Sequence, residues 1–183
     1  AEVKAYKPEN NSVGSGQVLT CPYTTDNAKL IVKEMTDLLS LDLVSKHLVT
    51  DQMVLTVGYD IECLSNPEIR EKYHGEITVD RYGRQVPKHA HGTANLKRKT
   101  ASSRQIIEAV MELYDRIINP DLLVRRVNIA ANHVVNEKEA EKEQTFEQMD
   151  LFSYMEQKQE EQEVKDNPQA VQREKKMQQA ILD

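Results

Sequence analysis

Apolar residues recur at three- and four-residue steps in two stretches of the chain, and four other stretches are rich in β-formers. Ala28, Ile31, Val32, Met35, Leu38 and Leu39 predict one buried face on a helix over about 27–46, with Asp26 as its N-cap. Ile106, Ile107, Val110, Met111, Leu113, Tyr114 and Ile117 predict a second helix over about 103–118, capped by Ser102 or Ser103. Asn119-Pro120 ends it, because proline cannot continue the hydrogen-bond ladder. Residues 12–20, 52–60, 92–100 and 124–135 read as strands. Between the second and third strands, Asn66-Pro67 breaks the chain. Ile77 to Asp80, then Arg81-Tyr82-Gly83, then Arg84 to Val86 pattern a small hairpin that Pro87 closes. The order β-α-β-(insert)-β-α-β implies an α+β fold, a four-stranded mixed sheet with two helices on one face. The opposite face stays bare, either solvated or used for binding.

Composition divides the chain. Residues 1–11 are polar and read as a linker, and residues 12–136 read as the domain, with 65–89 as its insertion. Residues 137–183 are dominated by Glu, Gln and Lys and read as an extended or partly helical tail. The net charge is −6, yet residues 1–136 hold 17 of the 24 basic and 17 of the 30 acidic side chains, so the acidic balance sits in the tail. A neutral domain can still carry a basic face. With no Trp and two Phe, the core must be aliphatic. Cys21 and Cys63 stand apart and read as two buried thiols in a reducing cytoplasm. No apolar run approaches a membrane span, and no membrane partner is expected. The chain reads as a fragment of a longer protein.

Candidate chemistry follows from these placements. Ser12, Gly14, Ser15, Gly16 and Gln17 at the first strand, Lys97, Arg98, Lys99, Thr100, Ser102 and Arg104 around the third, and the pair Arg125-Arg126 are the small, hydroxyl-bearing and cationic parts that phosphate binding uses. They read no particular base edge, so the binding they suggest is sequence-independent and salt-sensitive. The run Lys97 to Lys99 has a second reading, a solvated edge whose lysines discourage strand addition. In the tail, Gln148-Met149-Asp150-Leu151-Phe152 offers three apolar anchors and one amide in an acidic setting, suited to docking in an apolar pocket or to one turn of a weak amphipathic helix. His89 and His91 lack further converging ligands and read as solvated. Signatures of acyl transfer, P-loop nucleotide binding and zinc proteolysis are missing, so no catalytic residue and no cofactor is assigned to this chain.

Asn11 to Leu19 resembles the segment by which Y-family DNA polymerases enter their little finger domain, and Arg125 to Ile129 resembles that domain's last strand. Gln148 to Phe152 is similar to the bacterial pentapeptide that binds the sliding clamp, with Met149 in place of the usual Leu. The resemblance covers about residues 8–155 and is nearest to the UmuC / ImpB-MucB-SamB type of translesion polymerase. It implies contacts from Ser12, Gly14, Ser15, Lys97, Arg98, Lys99, Arg125 and Arg126 to the phosphates of a primer–template duplex. It further implies clamp recruitment through the tail, an upstream polymerase core on the same chain, and a cytoplasmic role in the SOS response. The parent would be a Mg²⁺-dependent nucleotidyltransferase whose catalytic carboxylates lie before Ala1. Two alternatives remain open at this stage. One is a non-enzymatic protein-interaction adaptor with a ferredoxin-like domain, and the other is a small-molecule-binding α/β domain.

Overall fold

A computed structural model describes residues 11–142. The chain divides into two units, residues 1–137 and 138–183, and the first holds the domain described below. The clamp-like residues Gln148, Met149, Asp150, Leu151 and Phe152 lie outside the described residues.

Strand β1 (Val13–Tyr23) leads into helix α1 (Thr25–Ser45) and strand β2 (Leu48–Tyr59). After an insert, strand β5 (Ala90–Thr100) leads into helix α4 (Ser103–Ile117) and strand β6 (Val124–Asn132). The main sheet runs in the order β1-β6-β2-β5, and a short strand β7 (Val135–Asn136) pairs with the start of β2. Every neighbouring pair is antiparallel, which corrects the mixed sheet expected from the sequence. The reason is topological. Each β-α-β crossover skips one position, so β6 intervenes between the parallel β1 and β2, and β2 intervenes between the parallel β5 and β6.

The first helix is capped two residues before the expected N-cap. Thr24 is extended and its hydroxyl accepts from the Asn27 N–H at 3.4 Å, while Asp26 falls in the first turn, where a carboxylate favours the helix dipole. Leu38 is a second correction. It was expected on the buried face but is 60% exposed, with Leu30, Leu41 and Val44 beside it on the outer side of α1. Thr36 and Ser40 are buried instead. Thr36 Oγ1 donates to the Val32 carbonyl at 2.6 Å and Ser40 Oγ to the Asp37 carbonyl at 2.7 Å, so neither hydroxyl enters the interior unsatisfied. The Ser40 and Ser103 hydroxyls also meet at 2.7 Å, where α1 lies beside α4.

Both helices cover the same sheet face. Val32, Leu39 and Leu43 of α1 and Ile106, Val110 and Leu113 of α4 close on Met53, Leu55, Val57, Val127 and Ile129. Tyr114 is almost fully buried, and its hydroxyl donates to the Thr25 carbonyl at 2.7 Å; burial pushes its phenol well above the ordinary tyrosine range. Gly92 lies under α4: a Cβ there would stand 2.8 Å from Leu113 Cδ1 and 2.9 Å from Ile117 Cγ2.

The insert contains helices α2 (Glu62–Ser65) and α3 (Pro67–Lys72) and a hairpin of β3 (Ile77–Val79) with β4 (Gln85–Pro87). The Asn66-Pro67 pair, expected as a break, starts α3. The Asn66 side chain accepts from the Glu68 N–H at 3.0 Å and Pro67 takes the first turn, where its missing N–H is harmless. Cys63 fixes the insert to the domain: its sulfur accepts from the Leu123 N–H at 3.1 Å, and burial raises its thiol pKa. Cys21, also expected to be buried, is exposed on β1, an edge strand.

Candidate nucleic-acid interface

Residues directly opposite one another in an antiparallel pair project from the same face. That rule sorts the sheet. Val127, Ile129, Met53, Leu55 and Val57 point to the helices, so the open face carries their alternates. From β1 these are Gly14, Gly16 and Val18, and from β6 Arg126, Asn128, Ala130 and Asn132. From β2 they are Gln52, Val54, Thr56 and Gly58, and from β5 His91, Thr93 and Asn95. None of these positions carries a carboxylate.

The polar groups of this face are tied into a flat array. Asn132 Nδ2 donates to Gln52 Oε1 at 3.1 Å, and Gln52 Nε2 donates to Asn95 Oδ1 at 3.0 Å, an amide ladder across three strands. Thr56 Oγ1 lies 2.8 Å from His91 Nδ1. Gly16 gives Asn128 room to lie across the strand, and Gly58 shows where Arg126 lies. A Cβ on Gly16 would reach within 2.3 Å of Asn128 Oδ1, and a Cβ on Gly58 would meet Arg126 Nε at 3.5 Å. Arg126 therefore lies over Gly58 on the open face.

The neighbouring Arg125 takes a different course. Gly58 pairs with Arg126 but Tyr59 pairs with Val124, so Arg125 is the extra residue of a β-bulge. Its Nε stands 3.6 Å from Asp60 Oδ2, and that carboxylate also accepts from the Glu62 N–H at 2.9 Å.

The other candidate residues are distributed as follows. Ser12 is exposed just before β1, and Gly14 and Gly16 lie on the open face. Ser15 and Gln17 take the alternate register, opposite Ile129 and Val127, on the helix side of the edge strand. Lys97, Arg98 and Lys99 occupy an irregular stretch of β5 between the pairs Gln52–Asn95 and Thr50–Thr100. Lys97 and Arg98 are exposed and Lys99 is half-buried. Thr100 Oγ1 accepts from the Ser102 N–H at 3.0 Å at the entry to α4. Arg104 belongs to α4, on the covered side, where its Nε stands 3.1 Å from Glu108 Oε1. The cations thus do not form one cluster. Six residue steps along β2 separate the Gln52 end, near Lys97, from the Gly58 end, near Arg126, a span of about 20 Å.

Sequence reasoning missed Gln52, Asn95, Asn128 and Asn132. The signal was present as period-two alternation, Arg126-Asn128-Asn132 on β6 and His91-Thr93-Asn95 on β5, but uncharged amides do not stand out in a search for cations. At the hairpin, the Arg84 and Tyr82 N–H groups and the Arg84 guanidinium hold the Asp80 carboxyl below its usual range. Lys88 is raised by its pairing with Glu76 at 2.6 Å. Among the described residues no three His, Cys, Asp or Glu side chains converge as metal ligands. Also among them, no helix is long and apolar enough to cross a membrane.

An α+β domain with two helices behind an antiparallel sheet, its other face polar and acid-free, is the class that fold and site define. The model of the impB/mucB/samB family C-terminal domain matches residues 10–151, and the chain belongs to that family. The membership bears out the resemblance to the little finger of Y-family polymerases. Solved structures similar to the chain include the "complex of beta-clamp processivity factor and little finger domain of PolIV", at 10% identity and a TM-score of 0.40, covering 66% of this chain and 86% of that one. A Y-family DNA polymerase chimera, Dbh-Dpo4(243-245)-Dbh, is similar at 8% identity and a TM-score of 0.46, and a post-insertion binary complex of Dbh DNA polymerase at 8% and 0.41. The chain spans 29% of each of these two polymerase chains. No curated protein matches it.

Proposed function

We propose that this domain grips the sugar-phosphate backbone of a primer–template duplex for an error-prone lesion-bypass polymerase, a cytoplasmic enzyme of DNA repair and the SOS response. The observation that carries the reading is the open sheet face: polar, low in profile and without a carboxylate. Amides, hydroxyls and one guanidinium on that face can donate to phosphate oxygens without reading base edges. Exposed Lys97 and Arg98 extend the cationic surface at the far end. The nucleotidyl-transfer chemistry and its Mg²⁺ belong to a polymerase core upstream on the same chain. The tail segment Gln148 to Phe152 recruits the protein to the sliding clamp, with Met149, Leu151 and Phe152 as anchors.

The test is binding of the full chain to duplex DNA over a series of salt concentrations. With three or four phosphate contacts, log affinity falls against log salt with a slope of about −3 to −4. Arg126→Ala weakens binding on every sequence and makes that slope shallower by about one. Affinity independent of salt would refute the backbone reading.

A further inference from the structure

The β3–β4 hairpin has no part in the sheet face just described, and its tip is held in a hydrogen-bonded turn. Asp80 closes the turn: Gly83 N–H donates to the Asp80 carbonyl at 3.0 Å, and Asp80 Oδ1 accepts from the Tyr82 N–H at 2.8 Å and the Arg84 N–H at 2.9 Å. Gly83 adopts φ +78°, a conformation that side chains disfavour. This rigid turn presents Tyr82, the most exposed large hydrophobic side chain among the described residues at 73%. Two guanidinium groups lie over its ring, Arg84 at 5.2 Å and Arg81 at 5.6 Å from the centroid. Arg84 is also paired with Asp80 at 2.7 Å, which fixes its position.

The hairpin's position matters as much as its chemistry. Two residues, Lys88 and His89, join β4 to β5, and Ala90 at the start of β5 pairs with Val57. The hairpin therefore leaves the sheet at the end where Arg126 lies over Gly58. Its two strands are three residues each, about 10 Å long.

We propose that the tip of this hairpin, through Tyr82 and Arg81, holds an unpaired nucleotide of a DNA strand that leaves the duplex on the open sheet face. A base inside a duplex hides both its faces against its neighbours. Only an unstacked base offers a surface to an exposed ring and to the guanidinium planes beside it, and the same guanidinium serves the adjoining phosphate. The cationic tip excludes an anionic ring-stacking partner no more than the sheet does, and its one carboxylate is spent on the turn. This inference rests on the backbone-gripping reading of the sheet.

Two probes separate the inferences: a blunt duplex, and the same duplex with a single-stranded 5′ overhang whose first unpaired base is 2-aminopurine. The wild-type chain binds the overhang probe more tightly and quenches the 2-aminopurine. Tyr82→Ala lowers affinity for the overhang probe about five-fold or more and abolishes the quench, while its affinity for blunt duplex is unchanged. Tyr82→Phe keeps both signals, and Arg81→Ala weakens overhang binding alone. Because Tyr82 is exposed, these variants fold, which circular dichroism verifies. If Tyr82→Ala changes neither probe, or both equally, the proposal is overturned; a hairpin made to meet a protein gives the first result. Arg126→Ala reports on the sheet separately, since it weakens both probes if the sheet reading holds and neither if that reading fails. A wild-type chain that binds neither probe defeats both.

Discussion

Adjacent residues in this domain have opposite fates, and the cause is register. Arg125 and Arg126 form one cationic pair in the sequence, but the bulge turns Arg125 to Asp60 and leaves Arg126 across Gly58 on the open face. The glycines divide in the same way. At Gly58 a methyl would meet Arg126 at ordinary van der Waals distance, whereas at Gly92 it would press on the side chains of α4. Gly92→Val therefore overpacks the interface and destabilises by about 1–3 kcal/mol, read as a lower midpoint in thermal or urea unfolding. Gly58→Ala leaves that midpoint nearly unchanged. Equal losses at the two sites would mean that α4 does not rest on β5 as described. Neither difference was legible in the sequence, because a bulge and a helix–strand approach are set by partners distant along the chain. The amide ladder escaped notice for a related reason: Asn132, Gln52 and Asn95 become neighbours only once three strands are aligned.

Whole elements were far more legible than their faces. Both long helices and all four long strands stand where hydrophobic periodicity put them, with ends shifted by a few residues. On α4 the apolar stripe is the buried face. On α1 it is too except at Leu38, because apolar residues occur on both sides of that helix and periodicity alone does not fix the edge of the stripe. Packing against α4 brings Ser40 inward against Ser103, and Leu30, Leu38 and Leu41 are left outside. A pair of substitutions tests this boundary. Leu38→Gln changes unfolding free energy by no more than about 0.5 kcal/mol, the usual range for a surface site. Leu39→Ala, one residue on and buried, costs about 2–5 kcal/mol. A large loss from Leu38→Gln would put Leu38 back on the buried face. The insert was half legible. Its hairpin follows from alternation around Tyr82-Gly83, but α2 and α3 are too short to show a period, and Asn66-Pro67 reads equally as a break or as a helix start.

For the molecule as a whole, the distribution of charge decides how the parts work together. The domain is neutral, its exposed Lys97 and Arg126 stand toward opposite ends of β2, about 20 Å apart, and the acidic balance lies after residue 136. A grip of a few phosphate contacts is weak and salt-sensitive by itself. A second, independent attachment on the same chain raises the local concentration of the first without adding any contact to DNA. The tail supplies the candidate, with Leu151 and Phe152 as anchors whose burial is worth about 1.5–3 kcal/mol each. On primer–template carrying a loaded sliding clamp, the full chain therefore binds more tightly than on the same DNA without the clamp. Replacing Leu151 and Phe152 together by Ala removes that gain and leaves affinity for bare DNA intact, whereas Arg126→Ala lowers affinity for bare DNA and leaves affinity for the isolated clamp unaltered. If the double alanine variant retains the gain, the pentapeptide is not the attachment, and the DNA-gripping role of the sheet stands or falls on its own measurement.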